Sequence, residues 1–337
     1  MDLLTLLIFN KMRHKKGGVT PTGTINITEN GETDVTNYAI ANVNVPSDRA
    51  IFPSSISFNG ANFANVDISW IENADTSNLK NAEGIFGSIG TDASFPTSFS
   101  FKKWNTILLN SLGTAFYYNK YIETIDMSNM NFPSLTHIKG FCSNASAFRT
   151  INLSGSTFPV LGNMSQMFYS CNRMTNVNLA NTVINSVTDI SDCFYNCGNV
   201  SSIDLTCITP SNTGIYCAEM VRGCSKIETI DIHTFTNKIT NLKSAFNSCS
   251  NLKTIIFGEN FSLENLSGAQ AFLGTFSYCP LLTNDTLNEI LRVISTATSY
   301  TGTKTLSMMG LSNAQIATCQ TLSNWTLAQS AGWTTGI

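Results

Sequence analysis

From Phe99 onward, apolar and polar positions follow a short phrase, apolar-polar-apolar and then a small residue, that returns about every 26 residues. Its copies are Ile125-Asp126-Met127, Ile151-Asn152-Leu153, Val177-Asn178-Leu179, Ile203-Asp204-Leu205 and Ile230-Asp231-Ile232, with Phe99-Ser100-Phe101 before them and Ile255-Ile256-Phe257 after. Strict alternation predicts a half-buried strand in each copy. A fixed period in this range predicts one supersecondary unit that buries its apolar face only by stacking on its neighbours, so function is expected on a surface.

A second apolar phrase follows each strand by about 17 residues: Ala115-Phe116-Tyr117-Tyr118-Asn119, Gly140-Phe141-Cys142-Ser143-Asn144, Met167-Phe168-Tyr169-Ser170-Cys171, Cys193-Phe194-Tyr195-Asn196-Cys197, Met220-Val221-Arg222-Gly223-Cys224, Ala245-Phe246-Asn247-Ser248-Cys249 and Thr275-Phe276-Ser277-Tyr278-Cys279. The aromatic and the Cys or Asn stand three apart, a spacing that a short helical turn would aim at one core. Strand on one side and helical turn on the other give an α/β solenoid of leucine-rich-repeat type with a parallel sheet on one face. Val66-Asp67-Ile68 reads as a first rung, and the irregular step from there to Phe99 reads as an inserted loop. Asp285 is the expected N-cap of a helix through Leu287, Ile290, Leu291 and Ile294; Ser312 opens another through Ile316, Cys319 and Leu322. Leu306-Ser307-Met308 fits one more rung, and Trp325 and Trp333 fit as lids on the last open edge.

Before the array, Thr24-Ile25-Asn26-Ile27-Thr28 and Asn42-Val43-Asn44-Val45 alternate around Asn30-Gly31, a hairpin signal. The leading run, with Leu3, Leu4, Leu6, Leu7, Ile8 and Phe9, has Asp2 before it and Lys11, Arg13, Lys15 and Lys16 behind it, the reverse of a secretory signal. It is too short to span a bilayer and reads as a docking helix with Gly17-Gly18 as its hinge. The chain therefore divides into a docking helix and hinge (1–18), a small β attachment module (19–46), a linker (47–59), the solenoid (60–310) and a helical cap (311–337).

Composition narrows the function classes. Only 12% of the residues are charged and the formal net charge is -3, which gives no footprint for nucleic acid. Of the ten cysteines, Cys171, Cys197, Cys224, Cys249 and Cys279 recur with the repeat, and Asn119 and Asn144 hold the same place in earlier copies. Packing and turn-capping by buried thiols explain that column better than disulfides do. Cys193 and Cys197 have no second pair or histidine for zinc. The histidines, His14, His137 and His233, are scattered, and neither a nucleophile elbow nor a phosphate loop is present. No enzyme, cofactor or metal site is expected.

Alternation turns Thr124, Asp126, Thr150, Asn152, Asn176, Asn178, Ser202, Asp204, Thr229 and Asp231 outward as a ladder of small acids, amides and hydroxyls. Three readings compete for it: solvated strand positions, a surface for sugars or a surface protein, and a calcium site between carboxylates, for which too few oxygens are assured.

The pairing of Ile-Asp-Leu or Ile-Asn-Leu with Met-Phe-Tyr-Ser-Cys resembles the BspA-type leucine-rich repeat, over about residues 60 to 310. It departs from that pattern in the first two rungs and at Met220-Val221-Arg222, where the aromatic is lost. That family is abundant in surface proteins of gut and oral microbes and in their phages. The segment from Ile27 through Ala39, with Val43-Asn44-Val45, resembles a short module near the N-termini of phage tail, baseplate and fibre proteins. Together these resemblances imply a virion structural protein, attached to other virion proteins through residues 1–46 and exposed on the virion surface. Its solenoid would then bind a host glycan or surface protein, with a homo-oligomer allowed and no membrane span. A decoration protein of capsid or tail and a bacterial BspA-like surface adhesin are the alternatives.

Overall fold

The computed structural model describes residues 26–28, 52, 54–59, 69–89 and 95–336. The docking helix, the Val66-Asp67-Ile68 rung and most of the β module lie outside them. Asn26–Thr28 is a strand as its alternation predicts, and it pairs antiparallel with Ser55–Ser57, a segment expected in the linker.

The described residues form a parallel-strand β-solenoid with few helices, divided into two compact units: residues 1–161 with 177–182, and residues 162–176 with 183–337. In the first, Ser98–Ser100, Thr124–Asp126 and Thr150–Asn152 pair in parallel and in register, Phe99 opposite Ile125 and Ile125 opposite Ile151. The central residue of each strand is buried and its neighbours face outward, as a two-residue period requires. Single parallel bridges link Ser55 to Asn81, Asn81 to Ser111 and Ser111 to His137 along a second column. In the second unit, Thr229–Asp231 pairs with Thr254–Ile256, and Ile215–Tyr216 with Ile239–Asn241. Asn163, Asp189 and Tyr216 carry the bridge column there. The Ile203 copy forms no strand, and its step to Ile230 is one residue longer than the steps before it.

The opposite side of each coil is not helical, which corrects the α/β expectation. In an α-helix every N–H returns to its own chain four residues back. Here the N–H groups alternate between two destinations. Leu112, Thr114, Phe116 and Tyr118 donate to the next rung, to the carbonyls of His137, Lys139, Phe141 and Ser143 at 3.2, 2.8, 2.7 and 2.9 Å. Ala115, Tyr117 and Asn119 close turns on their own rung, onto Leu112, Thr114 and Phe116 at 3.3, 3.0 and 3.0 Å. Thr114 and Tyr118 are left-handed, with φ of 51° and 53°. Overlapping β-turns, every other one with a left-handed third residue, build this face, so the three-residue spacing of aromatic and Cys or Asn comes from a turn. Gln166 and Ser170 repeat the pattern in the second unit.

Two registers differ from the sequence reading. Ala145 N–H closes on Cys142 at 2.9 Å, the bond that Asn119 makes to Phe116 one rung earlier. Cys142 and Ala145 are thus the counterparts of Phe116 and Asn119, and Asn144, with φ of 58°, occupies the left-handed place of Tyr118. The segment read as an insertion contains a complete turn copy: Gly84 and Phe86 donate to Gly113 and Ala115 at 2.8 and 2.7 Å, and Gly84 and Ser88 are left-handed. Its sequence signal, an Asn five residues before a Phe, is the one that Asn163 and Phe168 also carry.

The core is a stack of rings and aliphatic chains in each unit. Phe86, Phe116 and Phe141 form a continuous aromatic run, with centroids 5.4 and 5.3 Å apart, in the first unit; Phe168 and Phe194 pair at 5.3 Å in the second. Helices Asn284–Ile294 and Asn313–Cys319 lie where their periodicity predicts them. The first is capped by Thr283 rather than Asp285, and the second by a capping box of Ser312 and Gln315. Trp333 is buried with its Nε1–H on the Ile294 carbonyl at 3.1 Å, and Thr334 bridges to Thr305, which makes the Leu306 segment a rung.

Candidate recognition surface

The ladder read from sequence faces outward, but its two columns behave differently. The residue after each strand centre is tied down. Asp126 Oδ1 accepts from the Ser128 N–H at 2.9 Å and hydroxyl at 2.7 Å; Asn152 does the same with Ser154 at 3.2 and 2.8 Å. Asn178 accepts from Ala180 at 3.2 Å. In the second unit Asp204 holds Thr206 at 2.9 and 2.5 Å, and Asp231 holds the His233 N–H and ring at 3.0 and 2.8 Å. These are Asx turns that stop the strand and steer the chain into the next corner. The same device recurs at the bridge column, where Asn163 and Asp189 hold Ser165 and Ser191. Asn178 also donates to Asn152 across the rungs at 2.9 Å.

Asp126 carries a second constraint, an ion pair from Lys102 Nζ to Oδ2 at 2.9 Å. Partial burial pushes its pKa up, but the bonds from Lys102 and Ser128 outweigh that and hold the carboxyl below its ordinary value.

The residue before each strand centre is unconstrained. The side chains of Thr124 and Thr150, opposite each other in the first unit, make no hydrogen bond, and neither do those of Thr229 and Thr254 in the second. Asn176 and Ser202 are exposed and equally uncommitted. This column therefore offers unpaired hydroxyls and an amide at rung spacing, while the Asp and Asn column is mostly scaffold. The acid column ends at Ile256, which is exposed opposite Asp231. Among the described residues no His, Cys, Asp or Glu side chains gather as a metal site.

Two clusters were not singled out from sequence. Ser111 Oγ and His137 Nε2 share a hydrogen bond of 2.6 Å, with Thr136 Oγ1 3.3 Å from the other ring nitrogen. Ser111 is only 2% exposed and its oxygen also accepts the Gly113 N–H, so the pair acts as a peg between rungs rather than an accessible nucleophile. On the turn face of the second unit, Tyr169 and Tyr195 stack at 4.6 Å and 8°, and the Arg222 guanidinium lies 5.3 Å from the Tyr195 centroid. Arg222 occupies the next place in the tyrosine column, and Val221 the place of the phenylalanine. Arg222 also pairs with Glu219 at 2.8 Å. Asp192 beside them has its pKa raised, first by burial and then by the Glu219 charge.

The cysteine column is set by hydrogen bonds. Cys197, Cys224, Cys249 and Cys279 are free thiols whose S–H groups donate to the carbonyls of Phe168, Phe194, Val221 and Phe246 at 3.0, 3.0, 3.1 and 2.9 Å. In the first unit Asn119 makes the equivalent bond, from Nδ2 to the Phe86 carbonyl at 3.1 Å, and its Oδ1 caps the N–H groups of Tyr121 and Ile122. Burial pushes the Cys279 thiol up to about 12.

None of the curated proteins compared with the chain matches it. Residues 52–153 and 91–206 match a family described as a Mycoplasma protein of unknown function, DUF285. Residues 164–296 and 191–330 match the BspA type leucine rich repeat region. No described helix is long and apolar enough to cross a membrane. The later rungs, with their Asx corners, turn ladder and thiol column, are similar to the BspA type leucine rich repeat region.

Proposed function

We propose that this chain is a surface-recognition protein of the BspA-like adhesin type, which binds a hydroxyl-rich glycan or a surface protein through the uncommitted outward column. The observation that carries this reading is the division of labour on the sheet. Asx residues fix the backbone, while Thr124 and Thr150 in the first unit, and Asn176, Ser202, Thr229 and Thr254 in the second, present side chains with nothing to bind on their own chain. Within each unit, unpaired polar groups at rung spacing suit a ligand that is itself polar and repetitive. The BspA-type match supports the adhesin class.

The test is binding of the purified full chain to a glycan array and to immobilised host-surface proteins. Thr124→Ala with Thr150→Ala, and separately Thr229→Ala with Thr254→Ala, should weaken binding roughly tenfold or more while thermal unfolding stays unchanged, since surface positions alter stability little. Retained affinity in both double variants would place recognition elsewhere.

A second reading, display on a virion surface, rests on the resemblance of residues 27–45 to a phage structural module, with residues 1–46 as the attachment. Immunogold labelling of particles from a lysed culture distinguishes it from a cell-bound adhesin.

A further inference from the structure

The thiol column of the second unit links its rungs in a way the binding surface does not require. Four consecutive rungs each send one S–H backward onto the carbonyl at the buried Phe or Val place of the preceding rung. Cys197, Cys224 and Cys249 are fully buried and Cys279 is 2% exposed. That carbonyl also closes its own turn: the Phe194 oxygen accepts both the Cys197 N–H at 3.1 Å and the Cys224 thiol at 3.0 Å. The Val221 oxygen likewise accepts the Cys224 N–H at 3.0 Å and the Cys249 thiol at 3.1 Å. Each thiol thus holds its own rung and the closing turn of its neighbour.

We propose that this column is a thiol-sensitive latch: a small oxidant or electrophile that caps one thiol releases the neighbouring rungs, and the column reacts as a group. With peroxide as oxidant, a rung that opens transiently exposes its thiol, which ionises in water, and the thiolate sulfur attacks one peroxide oxygen. An S–O bond forms and the O–O bond breaks. The departing hydroxide takes up the proton released by the thiol and leaves as water, so sulfur loses two electrons to become a sulfenic acid and the peroxide is reduced. The capped sulfur no longer fits the closed turn, and its S–H bond is gone. The carbonyl behind it keeps only its own turn bond, and the next rung forward loses the packing that held its thiol. In a stack where each rung contacts only its neighbours, loosening passes along the column. The latch is independent of what the outward column binds. Its consequence would reach that column, because Thr229 and Thr254 lie on the strands that follow Cys224 and Cys249.

Intact-mass spectrometry of the full chain during exposure to N-ethylmaleimide, repeated with hydrogen peroxide, tests this. The expected result is two populations, one with Cys197, Cys224, Cys249 and Cys279 all untouched and one with all four modified, with peptide mapping assigning the adducts. A folded species carrying one stable adduct on the column, followed by independent second and third additions, would overturn it. A second comparison uses Cys224→Asn and Cys224→Ala. Asn should preserve the protection of Cys197 and Cys249, as Asn119 does for its own rung. Ala should speed their labelling roughly tenfold, the effect of about one lost buried hydrogen bond. Equal labelling in the two variants would reject the hydrogen bond as the link. Should Ala prevent folding, the adduct distribution of the unsubstituted chain decides by itself.

Discussion

Asn119 shows how much one residue can carry in a repeat protein. It is fully buried, it donates to a carbonyl one rung back, and it caps two N–H groups ahead. Asn119→Ala removes one bond from the Phe86 carbonyl and uncaps the Tyr121 and Ile122 N–H groups, and should cost about 2–4 kcal/mol in urea unfolding of the full chain. Asn119→Cys restores only the donor, so it should fall between the two. Asp192 makes the opposite prediction. Its folded pKa is raised by burial and by Glu219, so the folded state holds the proton more tightly than the unfolded chain does. The group therefore removes stability as pH rises through and above the ordinary value of 3.8. Asp192→Asn should raise the melting temperature at pH 7 and leave it unchanged near pH 3. Asp126, lowered by Lys102 and Ser128, has the reverse sign. Its contribution is complete above 3.8 and is lost as pH falls through its lower folded value. With the Asp126 side chain 36% exposed, that effect should be small and should shrink further in high salt.

At the level of the element, strand and turn differ in how well they could be read. The strand phrase was legible because alternation has one physical meaning and the buried centres, Phe99, Ile125, Ile151 and Val177, obey it. The turn was misread because a spacing of three suits a helix and a chain of β-turns equally. What separates them is the left-handed residue, and Thr114, Gln166 and Glu219 are poor advertisements for that conformation. Gly223 does advertise it, with φ of 78°, and a Cβ there would press on the Asn196 amide. Gly223→Ala should cost about 1–3 kcal/mol by thermal unfolding. The paired core substitutions Phe168→Ala and Phe194→Ala should each cost roughly 3–5 kcal/mol. Normal unfolding in both would mean the rings do not stack as described. The Asx corners were half visible: the ladder was read as a candidate surface, and only the D/N-x-S/T spacing of Asp126 to Ser128 and Asn152 to Ser154 betrays that its oxygens serve the backbone.

For the molecule, the sequence identified a solenoid and its C-terminal helices, and missed the turn copy around Phe86 because Asn81 and Phe86 lack the strand phrase that marks other rungs. It also placed both columns in one candidate ladder, because alternation alone does not tell the Asp and Asn oxygens that serve the backbone from the threonine hydroxyls that do not. The alternation of N–H groups between a rung's own turns and the following rung has a mechanical meaning. Within either unit, the bonds that join rungs lie along the stacking direction, so tension on that line loads one interface at a time while the turns inside each rung stay relaxed. Pulled by its ends, a unit should unzip in a sawtooth, each tooth releasing one repeat of roughly 80–90 Å of extended chain. Under shear such a unit would then yield by successive small lengths, and rewind when the load falls.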